Sequence, residues 1–153
     1  MAFPKTLWSF LTFLGILGAG VAACPGENVK VTVVVILASE EGDHIDKRLK
    51  NIAGEIQKQN PKLKSFHLKS MTCKDLTPKE KNTFDLVDDK TAQVVVLHGA
   101  DDKNRVSLEV TAPNQGKITY QTVCGKFLPI VTPYQTQKKE RLMLAISVEP
   151  CNE

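Results

Sequence analysis

Beyond its first 23 residues the chain has no long apolar run, no tryptophan and no dense basic patch. About 20 consecutive apolar residues are needed for a helix to span a bilayer, so this region is not expected to contain a membrane-spanning segment. Nucleic-acid-binding surfaces concentrate Lys and Arg, whereas here Lys alternates with Asp and Glu and the whole chain carries a net charge of only +3. The composition therefore predicts no nucleic-acid partner.

Common catalytic and metal-binding spacings are also absent from the sequence. There is no Gly-x-Ser-x-Gly segment and no glycine-rich phosphate loop. His44, His67 and His98 lack the short spacings of zinc ligands, and Asp101 and Asp102 near His98 are typical of a solvent-facing turn. We therefore predict no catalytic residues, no metal site and no cofactor. A small hydrolase or redox enzyme, with groups that only folding brings together, is kept as an alternative.

The first 23 residues have the three parts of a secretory signal. Lys5 is the only charged residue among them, an apolar core runs from Leu7 to Leu17, and Val21 and Ala23 offer the small side chains that signal peptidase requires. We predict that residues 1–23 are a signal peptide. Residues 24–153 would then form a single exported domain, located in the periplasm, in the cell envelope or outside the cell.

The exported region contains four cysteines, Cys24, Cys73, Cys124 and Cys151. An even number of cysteines in an oxidising compartment predicts two disulfides, and four cysteines allow three pairings. Cys24 and Cys151 flank the strand-rich region, which favours a bridge between the first and last strands. Cys73 and Cys124 each end a predicted strand and would form the second bridge.

Lipidation is an alternative to a disulfide for Cys24. Val21-Ala22-Ala23-Cys24 resembles a bacterial lipobox, in which the cysteine carries a lipid and tethers the protein to a membrane. Pro25 and the odd number of thiols that lipidation would leave argue against it. The alternative function is thus a membrane-tethered lipoprotein serving as an accessory subunit, and the lipid would be the only membrane contact.

The hydrophobic pattern predicts an α+β fold. Val29–Ala38 is a continuous β-branched run typical of a central strand buried on both faces. An amphipathic helix is predicted over Asp43–Gln59, with Asp43 or a neighbouring acid as its cap. Later strands are expected at 63–73, 83–87, 92–97, 105–111, 118–124, 127–131 and 141–148. The prediction is one N-terminal amphipathic helix packed on a mostly antiparallel sheet of about six to eight strands.

Three segments carry a resemblance: Leu37-Ala38-Ser39-Glu40-Glu41-Gly42, Asn60 through Leu68, and Leu142 through Ile146. On these residues the chain resembles small exported bacterial proteins of unassigned function, which combine a strand–helix–strand start with a β-meander. The resemblance implies an envelope or extracellular location and no particular activity.

The segment from Phe127 to Tyr134 is the one candidate binding surface in the sequence. Its two prolines predict an edge strand, because proline cannot donate to a ladder. Exposed aromatic side chains on such an edge would suit a protein partner; the alternative is that these residues cover the core while the prolines prevent aggregation. We therefore predict a non-enzymatic exported or cell-envelope domain that binds a partner or serves as an accessory module.

Overall fold

The computed structural model describes residues 28–149, and these form two four-stranded antiparallel sheets and one short helix. Sheet A has the strand order β2-β1-β8-β7 and sheet B the order β3-β4-β5-β6. A short 3-10 helix, Lys47–Leu49, leads into α1, Lys50–Gln59. The strands are β1 Val29–Ser39, β2 Ser65–Leu76, β3 Lys81–Asp85, β4 Thr91–His98, β5 Arg105–Thr111, β6 Lys117–Val123, β7 Leu128–Gln135 and β8 Arg141–Glu149.

The predicted fold class is wrong. The described residues are mostly β, their strands divide into two sheets, and their helix follows the first strand. Alternating apolar residues show that each strand has a buried face, but they do not show which strands share a sheet. Here the turn after Leu76 carries the chain from sheet A into a separate four-stranded meander, and the chain returns to sheet A only at β7.

The central strands β1 and β8 are buried on both faces, which explains their continuous apolar sequence. One face of β1, including Val33 and Val35, packs with β8 and sheet B in a core between the two sheets. The opposite face, including Val34 and Ile36, packs against Ile56 and its neighbours on α1. The prediction of a central buried strand is confirmed, since β1 lies between β2 and β8.

The helix begins later than the predicted Asp43. Residues 44–46 instead lie in extended form along the edge of β2, where the Phe66 N–H donates to the His44 carbonyl at 2.7 Å and the Asp46 N–H donates to the Phe66 carbonyl at 3.1 Å. Asp46 then caps the 3-10 turn, its carboxylate accepting from the Arg48 N–H at 3.0 Å. Asp46 and not Asp43 thus caps the 3-10 turn, and α1 itself follows Leu49 without a side-chain cap.

No helix within residues 28–149 is long and apolar enough to cross a membrane. The predicted signal peptide, the lipidation candidate Cys24 and the predicted Cys24–Cys151 bridge lie outside the described residues.

Candidate docking site

Strand β7 is an edge strand of sheet A, as its prolines predict. Its pairing with β8 is regular from Leu128 to Val131 and then irregular until Gln135. The buried Thr132 hydroxyl stabilises the irregular part, since it donates to the Leu142 carbonyl at 2.8 Å and accepts from the Tyr134 N–H at 3.3 Å. Pro133, which has no N–H to place in a ladder, is accommodated at this irregularity.

A groove of about 500 Å³ lies between α1 and the start of β7. We call it the Phe127 groove, and it is lined by Asn51, Ile52, Glu55, Lys126, Phe127 and Pro129. Phe127 is 41% exposed, while Ile52 at the other wall of the groove is buried. The apolar side chains that line the groove are Ile52, Phe127 and Pro129, and the groove carries one acidic and one basic side chain.

The turn that displays Phe127 is held at three backbone positions. The Cys124 N–H donates to the Asn104 carbonyl at 2.7 Å, the Gly125 N–H to the Val148 carbonyl at 3.0 Å, and the Lys126 N–H to the Val123 carbonyl at 3.2 Å. Gly125 has φ +78°, a conformation that favours glycine. Phe127 is therefore exposed on a turn that is hydrogen-bonded to the β4–β5 turn and to β8.

Tyr134, the second predicted partner residue, does not join Phe127. It lies near the opposite end of β7, where its hydroxyl donates to Asp88 at 2.8 Å and the Lys90 ammonium lies 5.8 Å from its ring centre. The hydrogen bond to Asp88 raises the pKa of Tyr134, and burial and the charge of Asp88 act in the same direction. Tyr134 thus links the β3–β4 turn to β7 and lines a different cavity of about 720 Å³.

The predicted Cys73–Cys124 bridge is wrong. Cys73 is a free, exposed cysteine whose sulfur lies 3.6 Å from the Thr32 hydroxyl. It pairs with Thr32 on the side of sheet A that carries α1, whereas Cys124 is 7% exposed and belongs to the core between the sheets. The alternation of side chains along β2 therefore directs Cys73 away from Cys124.

A serine–histidine contact that was not predicted from the sequence lies on β2. Ser65 Oγ is 3.1 Å from His67 Nε2, and the His67 ring stacks on His44 with centroids 4.8 Å apart. Ser65 and His67 are two residues apart in a strand and so share a face, which is the signal that could have indicated this contact. Ser65 is buried, which restricts substrate access to its hydroxyl.

The carboxylate of Asp46, two residues after His44, is already engaged by Arg48. Both carboxylate oxygens of Asp46 accept hydrogen bonds from the Arg48 guanidinium, at 3.1 and 3.2 Å. These bonds lower the pKa of Asp46, and the charge of His44 adds a smaller effect. The cluster therefore fastens residues 44–46 to β2 and lacks an acid bonded to His67 as a catalytic triad would require.

Among residues 28–149 no three His, Cys, Asp or Glu side chains are grouped in a way that could hold a metal ion. Asp101, predicted to lie in a turn, accepts from the Lys103 and Arg105 N–H groups at 2.9 and 2.8 Å. His98 Nδ1 lies 3.1 Å from the Gly99 carbonyl oxygen. Both side chains therefore contact their own turn.

Comparisons with protein-family models, curated proteins and solved structures give no match for the chain. Function must therefore be inferred from the geometry of the described residues and from the sequence pattern of the remainder.

Proposed function

We propose that this chain is an exported, non-enzymatic domain that binds a protein partner at the Phe127 groove. The observation that carries the proposal is the exposure of Phe127 beside the apolar side chains of Ile52 and Pro129, on a turn with three backbone hydrogen bonds. Exposed aromatic side chains are frequent anchors of protein interfaces because they bury a large area at a low entropy cost. The sequence pattern of residues 1–23 supports export.

The partner would dock through side chains and not by adding a strand. Pro129 and Pro133 deprive the β7 edge of two N–H donors, and strand addition needs a continuous row of them. A partner that places an apolar side chain against Phe127 would have Lys126 and Glu55 on either side. We therefore expect a protein segment with a large apolar anchor flanked by charged residues.

Photo-cross-linking tests the proposal directly. A benzophenone amino acid is placed at position 127 and, as a matched control, at position 123, because Val123 is 40% exposed and does not line the groove. In cells that make the protein we expect a discrete adduct with one other protein from position 127 only. Equal adducts from both positions, or an adduct only with a second copy of this chain, would contradict the proposal.

Export and lipidation are tested separately by cell fractionation and intact mass. Export predicts a protein beginning at Cys24 in a fraction outside the cytoplasm. A diacylglycerol-sized mass increase on that residue would instead support the membrane-tethered alternative. A full-length protein retained in the cytoplasm would contradict export.

A further inference from the structure

We infer that two copies of this chain pair through β6, in antiparallel orientation, so that their two sheets B join into one continuous sheet. β6 is an edge strand of sheet B, and its pairing with β5 is regular from Lys117 to Val123. Alternate residues of an edge strand direct their N–H and C=O groups away from the sheet, where another strand can bind them. Neither the Phe127 groove nor export is required for this pairing.

The other three edge strands among the described residues are each obstructed. β7 carries Pro129 and Pro133 and has an irregular stretch. Residues 44–46 cover the start of β2, and the pairing of β2 with β1 contains a register shift. β3 has only five residues. Prolines, irregularities, covering segments and short strands all prevent a further strand from adding to an edge.

β6 has none of these obstructions. It contains no proline and no register shift, and within the described part of the chain only β5 hydrogen-bonds to the backbone of residues 117–122. Its one charged side chain, Lys117, forms an ion pair with Glu109 of β5 at 3.2 Å. A chain that obstructs three edges and leaves the fourth open is expected to pair through the open one.

The sequence of β6 is compatible with a second copy of itself. Outward-facing residues must oppose each other in an antiparallel pair, so the two-fold axis passes through a residue, and an axis at Tyr120 pairs all seven residues of the strand. The opposed residues are then Tyr120 with its counterpart, Ile118 with Thr122, Thr119 with Gln121, and Lys117 with Val123. No like charges face each other, which would destabilise the pair.

The pairing also covers apolar side chains on the face toward sheet A. Ile118 and Tyr120 lie opposite Val110 and Leu108, which belong to the core between the sheets. Tyr120 packs against that core, and Ile118 is 37% exposed. In the pair, Ile118 of one copy lies beside Thr122 and diagonally from Tyr120 of the other. Removing this apolar surface from water stabilises the dimer.

The symmetry of the pairing limits its size. A two-fold interface uses the β6 edge of both copies, and the edges that remain are the obstructed ones, so assembly ends at a dimer and does not continue into a fibre. A single pair of strands forms a small interface, and we therefore expect a dimer that dissociates on dilution.

Sedimentation equilibrium of the protein isolated from producing cells tests the pairing. A reducing agent is present so that the exposed Cys73 cannot link two copies. We expect a monomer at low concentration, a dimer at high concentration and no larger species. A monomer at every concentration would overturn the inference, and it is the result expected if the edge instead receives a strand of another protein.

Charge variants on the exposed side of β6 test the register. Thr119→Lys with Gln121→Lys places like charges opposite each other and should weaken association about tenfold or more. Thr119→Lys with Gln121→Glu places Lys opposite Glu and should restore the dimer.

The matched control is Asp85→Asn with Asp102→Asn. It raises the net charge as much as the first variant, at exposed positions outside β6, and should leave the dimer intact. Urea unfolding at a concentration where every variant is monomeric checks that each one folds. A dimer that persists with two lysines, or that Glu at position 121 fails to restore, would contradict the pairing.

The benzophenone amino acid at position 123 gives a second readout. Position 123 lies beside Lys117 of the second copy, so we expect a cross-linked species of twice the mass in which residues 118–126 are joined to the tryptic peptide ending at Lys117. This species differs from the adduct with another protein at position 127, so failure of the dimer and failure of the Phe127 groove are distinguishable. A two-copy species linked elsewhere, or none, would contradict the register.

Discussion

At the scale of single residues, one carboxylate holds the turn between β4 and β5. Asp101 accepts hydrogen bonds from the backbone N–H groups of Lys103 and Arg105 and from the Arg105 guanidinium at 2.9 Å. The bond from the Arg105 N–H is the largest cause that lowers the pKa of Asp101 from its ordinary value of 3.8. The carboxylate therefore binds a proton less readily in the folded chain than in the unfolded chain.

Asp101→Asn should reduce the free energy of unfolding at neutral pH, and the difference from the original protein should shrink in acid. A carboxylate with a lowered folded pKa contributes stability above its unfolded pKa and loses it as the pH falls through the folded value. Urea unfolding at pH 7, 4 and 3 measures this, with Asp102→Asn at the exposed neighbouring acid as the control. A difference that stays constant down to pH 3 would contradict this role of the carboxylate.

Cys73 should react with thiol reagents in the folded protein. Because it is free and exposed, iodoacetamide should alkylate it in the native oxidised protein, and the label should appear in the tryptic peptide of residues 70–74. Cys124, which is 7% exposed, should remain unlabelled until the protein is reduced and unfolded. Protection of Cys73 until reduction would show that it is engaged in a bridge.

At the scale of elements, α1 depends on its contact with sheet A. Ile56 is buried among Ile36, Ala145 and other side chains of that layer. Ile56→Ala should lower the free energy of unfolding by about 2–5 kcal/mol because it leaves a cavity, while Lys50→Ala on the exposed side should change it little. Chemical denaturation compares the two variants, and equal effects would place the helix elsewhere.

The strands were the most predictable elements and the start of the helix was not. Val29–Ala38 and Arg105–Thr111 have uninterrupted or alternating apolar residues, and the observed strands match those spans to within a residue. Before α1, Ile45 fits the apolar stripe of the helix but lies in a bridge to Phe66. Pairing of Ile45 with the edge of β2 thus competes with helix formation at this residue. The local periodicity around Ile45 contains no information about a strand that comes some twenty residues later.

At the scale of the whole molecule, the division of the strands into two sheets could not be predicted from the sequence. Val106, Leu108 and Val110 alternate with polar residues as they would in either arrangement, and only the packing of one sheet over the other distinguishes the two. The candidate site was predictable in part. Phe127 was indicated by its proline-rich segment, but the opposite wall, Ile52, comes from a helix more than seventy residues earlier.

The order of the strands also bears on how the chain reaches its structure. Sheet B is built from consecutive hairpins, whereas the centre of sheet A joins β1 to β8, with Lys30 opposite Glu149. Contacts between distant parts of a chain form slowly, because a long loop must close first. Pulse-labelling hydrogen exchange during refolding should therefore protect the amides of β4 and β5 before those of β1. Until β8 has been synthesised, a growing chain can complete only one of its two sheets, and the apolar β1 can pair with β2 but lacks its second neighbour.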